Sequence, residues 1–322
     1  THSMELFWVA AARSWSIKSM GCIVDKPRWT DLRAFDWAIR GLQAQSPPMP
    51  TLSRQQLITL TLITIIWGIN WPVMKLGVQH FPPLAFRAVS MLIGLPVLAI
   101  AMVVLKAPFR LERRYWGQLL VLGLFNMILW HAVIIVAIPM LPSGRAAILG
   151  YTMPIFSAAI GALFFSDRLP ARAWAGVIAA AAGVLLLLWN EIDKLGGRPT
   201  GVALMLIAAC SWALGTQLLR RTRIPAQTLT LSFWMMVMTA ITLCILTTLL
   251  ERPRWHVPNA TAWGTILFNA ILVIGFAQMA WFFLVRALPP LASTLSVMMI
   301  PVLGVFSGAW WLNEVLHWQD WT

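Results

Sequence analysis

The sequence predicts an all-α integral membrane protein, and three observations carry that prediction. First, 59% of the 322 residues are hydrophobic and only 11% are charged, with a mean hydropathy of +0.76. A soluble domain carries about 25% charged residues to stay dissolved. A soluble enzyme, a disordered regulator and a nucleic-acid-binding domain are therefore excluded. Second, the apolar residues gather into nine stretches, each about as long as the 20 residues that a helix needs to cross a bilayer. Third, segments in the two halves of the chain align on each other at a near-constant spacing, which marks an internal repeat.

Residues 1–53 differ in kind from the rest. Arg13, Lys18, Asp25, Lys26, Arg28, Asp31, Arg33 and Asp36 break every apolar run, and no signal-peptide core is visible. The chain begins with Thr1, and Pro47-Pro48-Met49-Pro50 precedes the first apolar stretch. The expectation is that Met49 is the natural start and that 1–48 is an upstream extension. The alternative is a cytoplasmic tail with an amphipathic segment around Trp29–Ile39. The nine stretches follow as Leu57–Val78, Leu84–Leu105, Trp116–Ile138, Ala146–Phe165, Ala173–Trp189, Gly201–Leu219, Thr228–Leu250, Ala262–Val285 and Leu291–Leu312. Runs this long must be helices, because backbone polar groups cannot stay unpaired in hydrocarbon. They lack the alternation of a membrane barrel strand. The connections between them are short and leave no room for an extramembrane catalytic domain.

The net charge of +13 resolves into +2 on residues 1–53 (six basic, four acidic) and +11 on the rest (eighteen basic, seven acidic). If the start of the first stretch is cytoplasmic, eleven Lys and Arg fall on the cytoplasmic side and six on the other, in accord with the positive-inside rule. The basic excess thus reports orientation rather than a nucleic-acid partner. Trp is abundant, at 19 residues. Trp116, Trp174, Trp189, Trp255, Trp263, Trp310 and Trp311 stand near stretch ends, where an amphipathic ring prefers the headgroup level. Trp67, Trp71, Trp130, Trp212, Trp234 and Trp281 lie deeper and either pack or line a cavity. Cys22, Cys210 and Cys244 show neither disulfide nor zinc spacing.

The repeat is clearest at an offset of 147, where Met153-Pro154 through Asp167-Arg168-Leu169 lies over Ile300-Pro301 through Glu314-Val315-Leu316. Trp67-Gly68 matches Trp212-Ala213, and Lys75 matches Arg220, at 145. The third stretch against the eighth is ambiguous. An offset of 147 pairs His131 with Gln278, whereas Leu124-Phe125-Asn126 on Leu267-Phe268-Asn269 gives 143. Each copy spans five helices, an odd number, so the copies sit upside down relative to each other. Such inverted repeats are typical of alternating-access transporters, whose site lies near the midplane between the copies. The domains read as a first repeat over 54–190, a linker at 191–199 and a second repeat over 200–322. The partner of the fifth stretch, which begins near Arg172, should start 147 residues on, and the chain ends at Thr322. Ten helices are therefore expected, with nine present and the last truncated.

These features resemble the EamA family of the drug/metabolite transporter superfamily. The resemblance rests on Trp67-Gly68-Ile69-Asn70-Trp71 with Lys75, on Pro83-Leu84-Ala85-Phe86-Arg87, and on Gly144-Arg145-Ala146-Ala147-Ile148-Leu149 with Tyr151-Thr152-Met153-Pro154 and Asp167-Arg168-Leu169. In the second copy it rests on Trp212-Ala213, Pro301 and Glu314. It covers about Thr51 to Thr322. It implies ten helices in two inverted repeats with both termini cytoplasmic. It implies a cavity lined by helices one, three, four, six, eight and nine, and export or exchange of small metabolites, amino acids or drugs, often with protons. The implied localisation is a bacterial inner membrane. Ser166-Asp167 stands where the family usually has Gly-Glu.

Candidate site residues follow from the cost of polarity at membrane depth. Every Asp and Glu lies in a loop, at a helix end or in the tail, so no carboxylate proton relay is visible. His131, mid-helix, titrates near neutral pH and is a candidate proton carrier or substrate hydrogen-bonder, with Gln278 as its partner on one alignment. Arg87 either attracts an anionic group or snorkels to the near interface, and Arg145 is placed to steer anions. Lys75 reads as an interface anchor. Asn70 and Trp71 precede Pro72, and Tyr151 and Thr152 precede Pro154. Pro72, Pro154 and Pro301 are expected to kink their helices and expose carbonyls or hydroxyls to a ligand, or else to serve packing. No metal site or cofactor is indicated, and there is no P-loop. The expected partners are a small-molecule substrate and membrane lipid, with a homodimer compatible. A membrane-embedded enzyme would need a nucleophile, metal cluster or paired carboxylates at membrane depth, and His, Asp and Glu do not cluster. A passive facilitator or channel for small polar solutes remains the alternative to a secondary transporter.

Overall fold

The computed structural model describes residues 53–167, 171, 174–179, 182, 199–287 and 290–314. Eight long helices stand on these residues, and the first seven of them are long and apolar enough to cross a membrane. They are α1 (Arg54–His80), α2 (Pro83–Val104), α3 (Arg113–Met140), α4 (Ser143–Phe165), α5 (Pro199–Arg221), α6 (Thr228–Leu250), α7 (Ala260–Leu267, Phe268–Ala277 and Gln278–Ala287 in succession) and α8 (Pro290–Leu312). They correspond to the first four and last four predicted stretches. The predicted fifth, Ala173–Trp189, lies largely outside the described residues, as do 1–52 and 315–322.

Local chemistry sets the helix starts. Ser53 and Gln56 form a reciprocal capping box on α1, at 3.2 and 2.9 Å. Asn259 accepts from the Ala262 amide at 2.8 Å ahead of α7. Pro83 occupies the first turn of α2, where its missing N–H costs nothing. The outward faces remain apolar. Leu57, Ile58, Leu62 and Ile65 of α1 and Ile241, Ile245 and Leu249 of α6 are exposed, which suits lipid rather than water.

The helices pack with an internal two-fold that exchanges α1 with α5, α2 with α6, α3 with α7 and α4 with α8. Contacts of α1 with α8 and α7 mirror those of α5 with α4 and α3, and α2 on α7 mirrors α6 on α3. The α2–α6 and α4–α8 pairs lie on the axis. The paired helices run antiparallel. Glu251 at the C-terminal end of α6 binds the N-terminus of α2, while Thr230 near the start of α6 donates to the Pro108 carbonyl beyond the end of α2, at 2.7 Å. The repeats are therefore inverted.

Small residues set the close crossings, as packing between membrane helices demands. A Cβ on Gly144 would lie 2.9 Å from Val305 Cα, and one on Gly304 would lie 2.8 Å from Ala147 Cβ. A Cβ on Gly215 would meet the Asn126 backbone nitrogen at 2.5 Å.

Two departures from regular α-helix matter. Wide π-helical turns occupy Leu124–Ile128 in α3 and Phe268–Ala277 in α7. They contain Asn126 and Asn269, the pair related by 143. Their unequal lengths, five and ten residues, absorb different amounts of chain, so no single offset holds on both sides of them. The 143 alignment thus fits Asn126 and Asn269, and it does not carry over to His131, which lies beyond the shorter of the two segments. The second departure is in α4. It is interrupted at Tyr151-Thr152, between Ser143–Gly150 and Met153–Phe165. Pro154 therefore sits in the first turn of a new helical segment and does not kink a continuous one. Pro72 and Pro301, by contrast, lie inside α1 and α8.

Candidate functional site

The most distinctive polar group of the bundle is Arg87, four residues into α2 and only 3% exposed. It does not snorkel to the interface. Its Nη1 donates to Asn269 Oδ1 at 3.3 Å and its Nη2 faces the Met74 sulfur. Asn269 Nδ2 donates to the Thr265 carbonyl at 3.1 Å, which fixes the amide so that its oxygen faces the guanidinium. The Arg87–Asn269 bond joins the first repeat to the second. Arg87 Nε is buried and has no partner among the described residues. A buried charge is costly to bring out of water and demands such partners.

Met74 carries the site onto α1. Asn70 lies one turn earlier on the same helix face, where residues four apart are neighbours. Asn70 is buried, and its Oδ1 has no partner among the described residues. Next to it, the Trp71 ring meets Tyr151 edge-on, with centroids 6.3 Å apart at 62°. Trp71 and Trp130 both reach Gly150, where a Cβ would lie 2.6 and 3.5 Å from their ring tips. The Thr152 hydroxyl donates to the Leu149 carbonyl at 2.6 Å, which secures the break in α4 and leaves its lone pairs as acceptors.

His131, next to Trp130, is half-buried, and its Nδ1 is enclosed without a partner among the described residues. Asn70, Trp71, Arg87, His131, Tyr151 and Thr152 thus belong to one region between the repeats. Asn70 and His131 lie ten and nine residues before the ends of their helices. That places both about 15 Å deep at 1.5 Å per residue, near mid-membrane. Arg145 is buried and engaged in the N-terminal half of α4. Gln278 is half-buried just past the wide turns of α7. Among the described residues, no three His, Cys, Asp or Glu side chains come together to hold a metal.

The deep tryptophans are mostly paired. Trp67 meets Trp281 (5.5 Å, 56°) and Trp130 meets Trp212 (5.4 Å, 60°), two arrangements related by the internal two-fold. Trp234 packs on Trp116 near the start of α3, and its Nε1 donates to the Phe109 carbonyl at 2.8 Å. Trp174, Trp255, Trp263, Trp310 and Trp311 are exposed at the surface, and Trp189 lies outside the described residues.

Sequence reasoning missed Asn269 and Met74 as partners of Arg87. The Leu-Phe-Asn motif shared by the two repeats was the available signal for Asn269. The Lys75 ammonium caps the C-terminal end of α3, donating to the carbonyls of Ile138, Pro139 and Leu141 at 3.0, 2.9 and 2.7 Å.

An inverted pair of helical repeats enclosing buried polar groups at mid-membrane defines a transporter fold. The chain belongs to the EamA-like transporter family, which it matches over 55–189 and again over 199–322. It is 23% identical over 260 residues to "Uncharacterized transporter YoaV" of Bacillus subtilis, covering 80% of this chain and 89% of that one. It is 26% identical over 263 residues to "Uncharacterized inner membrane transporter YedA" of Escherichia coli K12, covering 81% and 84%. It is 32% identical over 171 residues to a Salmonella typhimurium protein named "Probable amino-acid metabolite efflux pump", covering 51% and 53%. A crystal structure 21% identical in sequence superposes with a TM-score of 0.58, covering 84% of this chain and 91% of that one. The protein is a multi-pass integral membrane protein of the bacterial inner-membrane type.

Proposed function

We propose that the protein is a secondary transporter that exports or exchanges small carboxylate-bearing metabolites of the amino-acid class by alternating access. The observation that carries this reading is Arg87. It is a guanidinium buried between the repeats, held on Asn269 and Met74, with its Nε still without a partner among the described residues. Guanidinium is the side chain best shaped for a carboxylate. Asn70 Oδ1, one turn away from Met74 on α1, is an acceptor suited to a substrate ammonium. Trp71, Trp130 and Tyr151 supply an apolar wall for the remainder of the substrate. The name of the Salmonella relative is in keeping with this class. His131 is the group proposed to exchange protons, because every Asp and Glu stands outside the apolar stretches.

The test is flux into proteoliposomes for a panel of amino acids, their N-acyl and decarboxylated analogues, and neutral solutes, with and without an imposed pH gradient. Saturable, gradient-dependent flux of carboxylates is expected. Non-saturable flux that ignores the gradient would establish a passive facilitator instead. Arg87→Gln should raise KM for the transported carboxylate by roughly 10–100-fold, the loss of one charge-assisted hydrogen-bond partner. A variant that instead keeps KM overturns the assignment of Arg87. His131→Ala should flatten the pH dependence of transport, and an unchanged dependence excludes it as the proton carrier.

A further inference from the structure

Helices α4 and α8 end in the same unusual way. Each closes on a non-glycine residue with positive φ, Ser166 at 57° and Asn313 at 52°, followed at once by a carboxylate, Asp167 or Glu314. The two devices are 147 residues apart, so they are copies of one element. Among the described residues the two carboxylates have different partners. Asp167 takes Arg221 of α5 through both oxygens, at 2.8 and 2.7 Å. Glu314 instead caps the N-terminus of α4. It accepts from the Ser143 amide at 2.8 and 2.9 Å, from the Ser143 hydroxyl at 2.7 Å and from the Gly144 amide at 3.4 Å. At the same end of the bundle, Glu251 of α6 accepts from the amides of Leu84 and Ala85 at 3.1 and 2.9 Å. Two carboxylates of the second repeat thus grip two helix N-termini of the first, where the helix dipole favours negative charge. Among the described residues, no matching pair joins the opposite end.

The helix that Glu314 caps is the short segment Ser143–Gly150, which stops at the break Tyr151-Thr152. Its last residue, Gly150, lies against Trp71 and Trp130 of the candidate site. Its outer turns pack on α8 through Gly144 against Val305. This segment is a rigid piece with a break at one end and a carboxylate clasp at the other.

We propose that Glu314 is a releasable latch that holds Ser143–Gly150 over the site and closes it toward the end of the bundle away from Arg54, with Tyr151-Thr152 as the hinge. This rests on the transporter reading, yet its test needs no substrate. Asn70→Cys serves as the reporter in a chain whose three native cysteines are changed to serine. Its reaction rate with a membrane-impermeant thiol reagent is measured in right-side-out and inside-out vesicles. Glu314→Ala should accelerate labelling roughly tenfold from one side only, the extracytoplasmic side on the charge count, as loss of a multiply hydrogen-bonded clasp shifts the open population. Ser143→Pro should do the same independently, because proline at a helix's first position removes the amide and hydroxyl donors yet preserves the helix. Asp167→Ala should leave the rate from that side unaltered. Unchanged labelling in both Glu314→Ala and Ser143→Pro overturns the latch, and so does acceleration from both sides. Absence of carboxylate flux with one-sided acceleration present would refute the transport reading alone.

Discussion

At the residue scale, the left-handed positions explain a departure from the family pattern. A Gly-Glu pair supplies a residue that adopts positive φ freely, followed by a carboxylate. Here Ser166 and Asn313 take that conformation with side chains attached. Serine pays about 1 kcal/mol for it, whereas asparagine tolerates it better. Ser166→Gly should therefore raise thermal stability in detergent by about 1 kcal/mol, offset in part by the greater freedom of glycine in the unfolded chain, and Asn313→Gly should gain less. A fall in melting temperature for Ser166→Gly would contradict this account. Lys75 shows the same economy of means. One ammonium bonds three carbonyls at the end of α3, so a single charge closes a helix terminus.

At the element scale, the two wide-turn segments are the main irregularity, and they fall where the repeats meet. Asn126 in one donates to the Trp212 carbonyl and to Thr216 at 3.4 and 3.3 Å, and Ser211 donates to the Phe125 carbonyl at 2.8 Å. The α3–α5 crossing is held by these bonds and by the absence of a side chain at Gly215. Gly215→Leu should force the helices apart and abolish monodisperse protein, because the obstructing atoms are backbone, which cannot give way. Gly117→Ala, with nothing within 4 Å of the added carbon, should express and migrate as the parent does. Equal behaviour of the two variants in size-exclusion chromatography would show that the crossing is looser than described.

At the scale of the whole molecule, the contacts that build the bundle run largely between repeats rather than within them: α1 on α8, α2 on α6 and α7, α3 on α5 and α6, α4 on α5 and α8. Among the described residues, each repeat packs its inner face mainly on the other. Residues 54–190 produced alone should be degraded or aggregate. The same residues co-expressed with 191–322 as a separate chain should yield a complex that co-purifies. Recovery of a protease-resistant first repeat by itself would refute this dependence.

Composition and the lengths of the apolar runs determined the class, because hydrocarbon admits little but helices. An odd number of helices per copy determined that the repeats are inverted, and the 147 spacing located Asp167 and Glu314 as equivalents. Residues Asn70, Trp71, Arg87, His131, Tyr151 and Thr152 were legible as candidates, because polarity at membrane depth is costly enough to be informative. Tertiary structure alone decided their partners. A buried guanidinium and a snorkelling one have the same sequence, and only the approach of Asn269 from the other repeat distinguishes them. The alignment of α3 with α7 was likewise undecidable from spacing, since π-helical turns of unequal length consume residues without leaving a signature in hydropathy. The two equivalent carboxylates find their described partners, Arg221 for Asp167 and the N-terminus of α4 for Glu314, only in the folded bundle, because those groups stand 54 and 171 residues away along the chain.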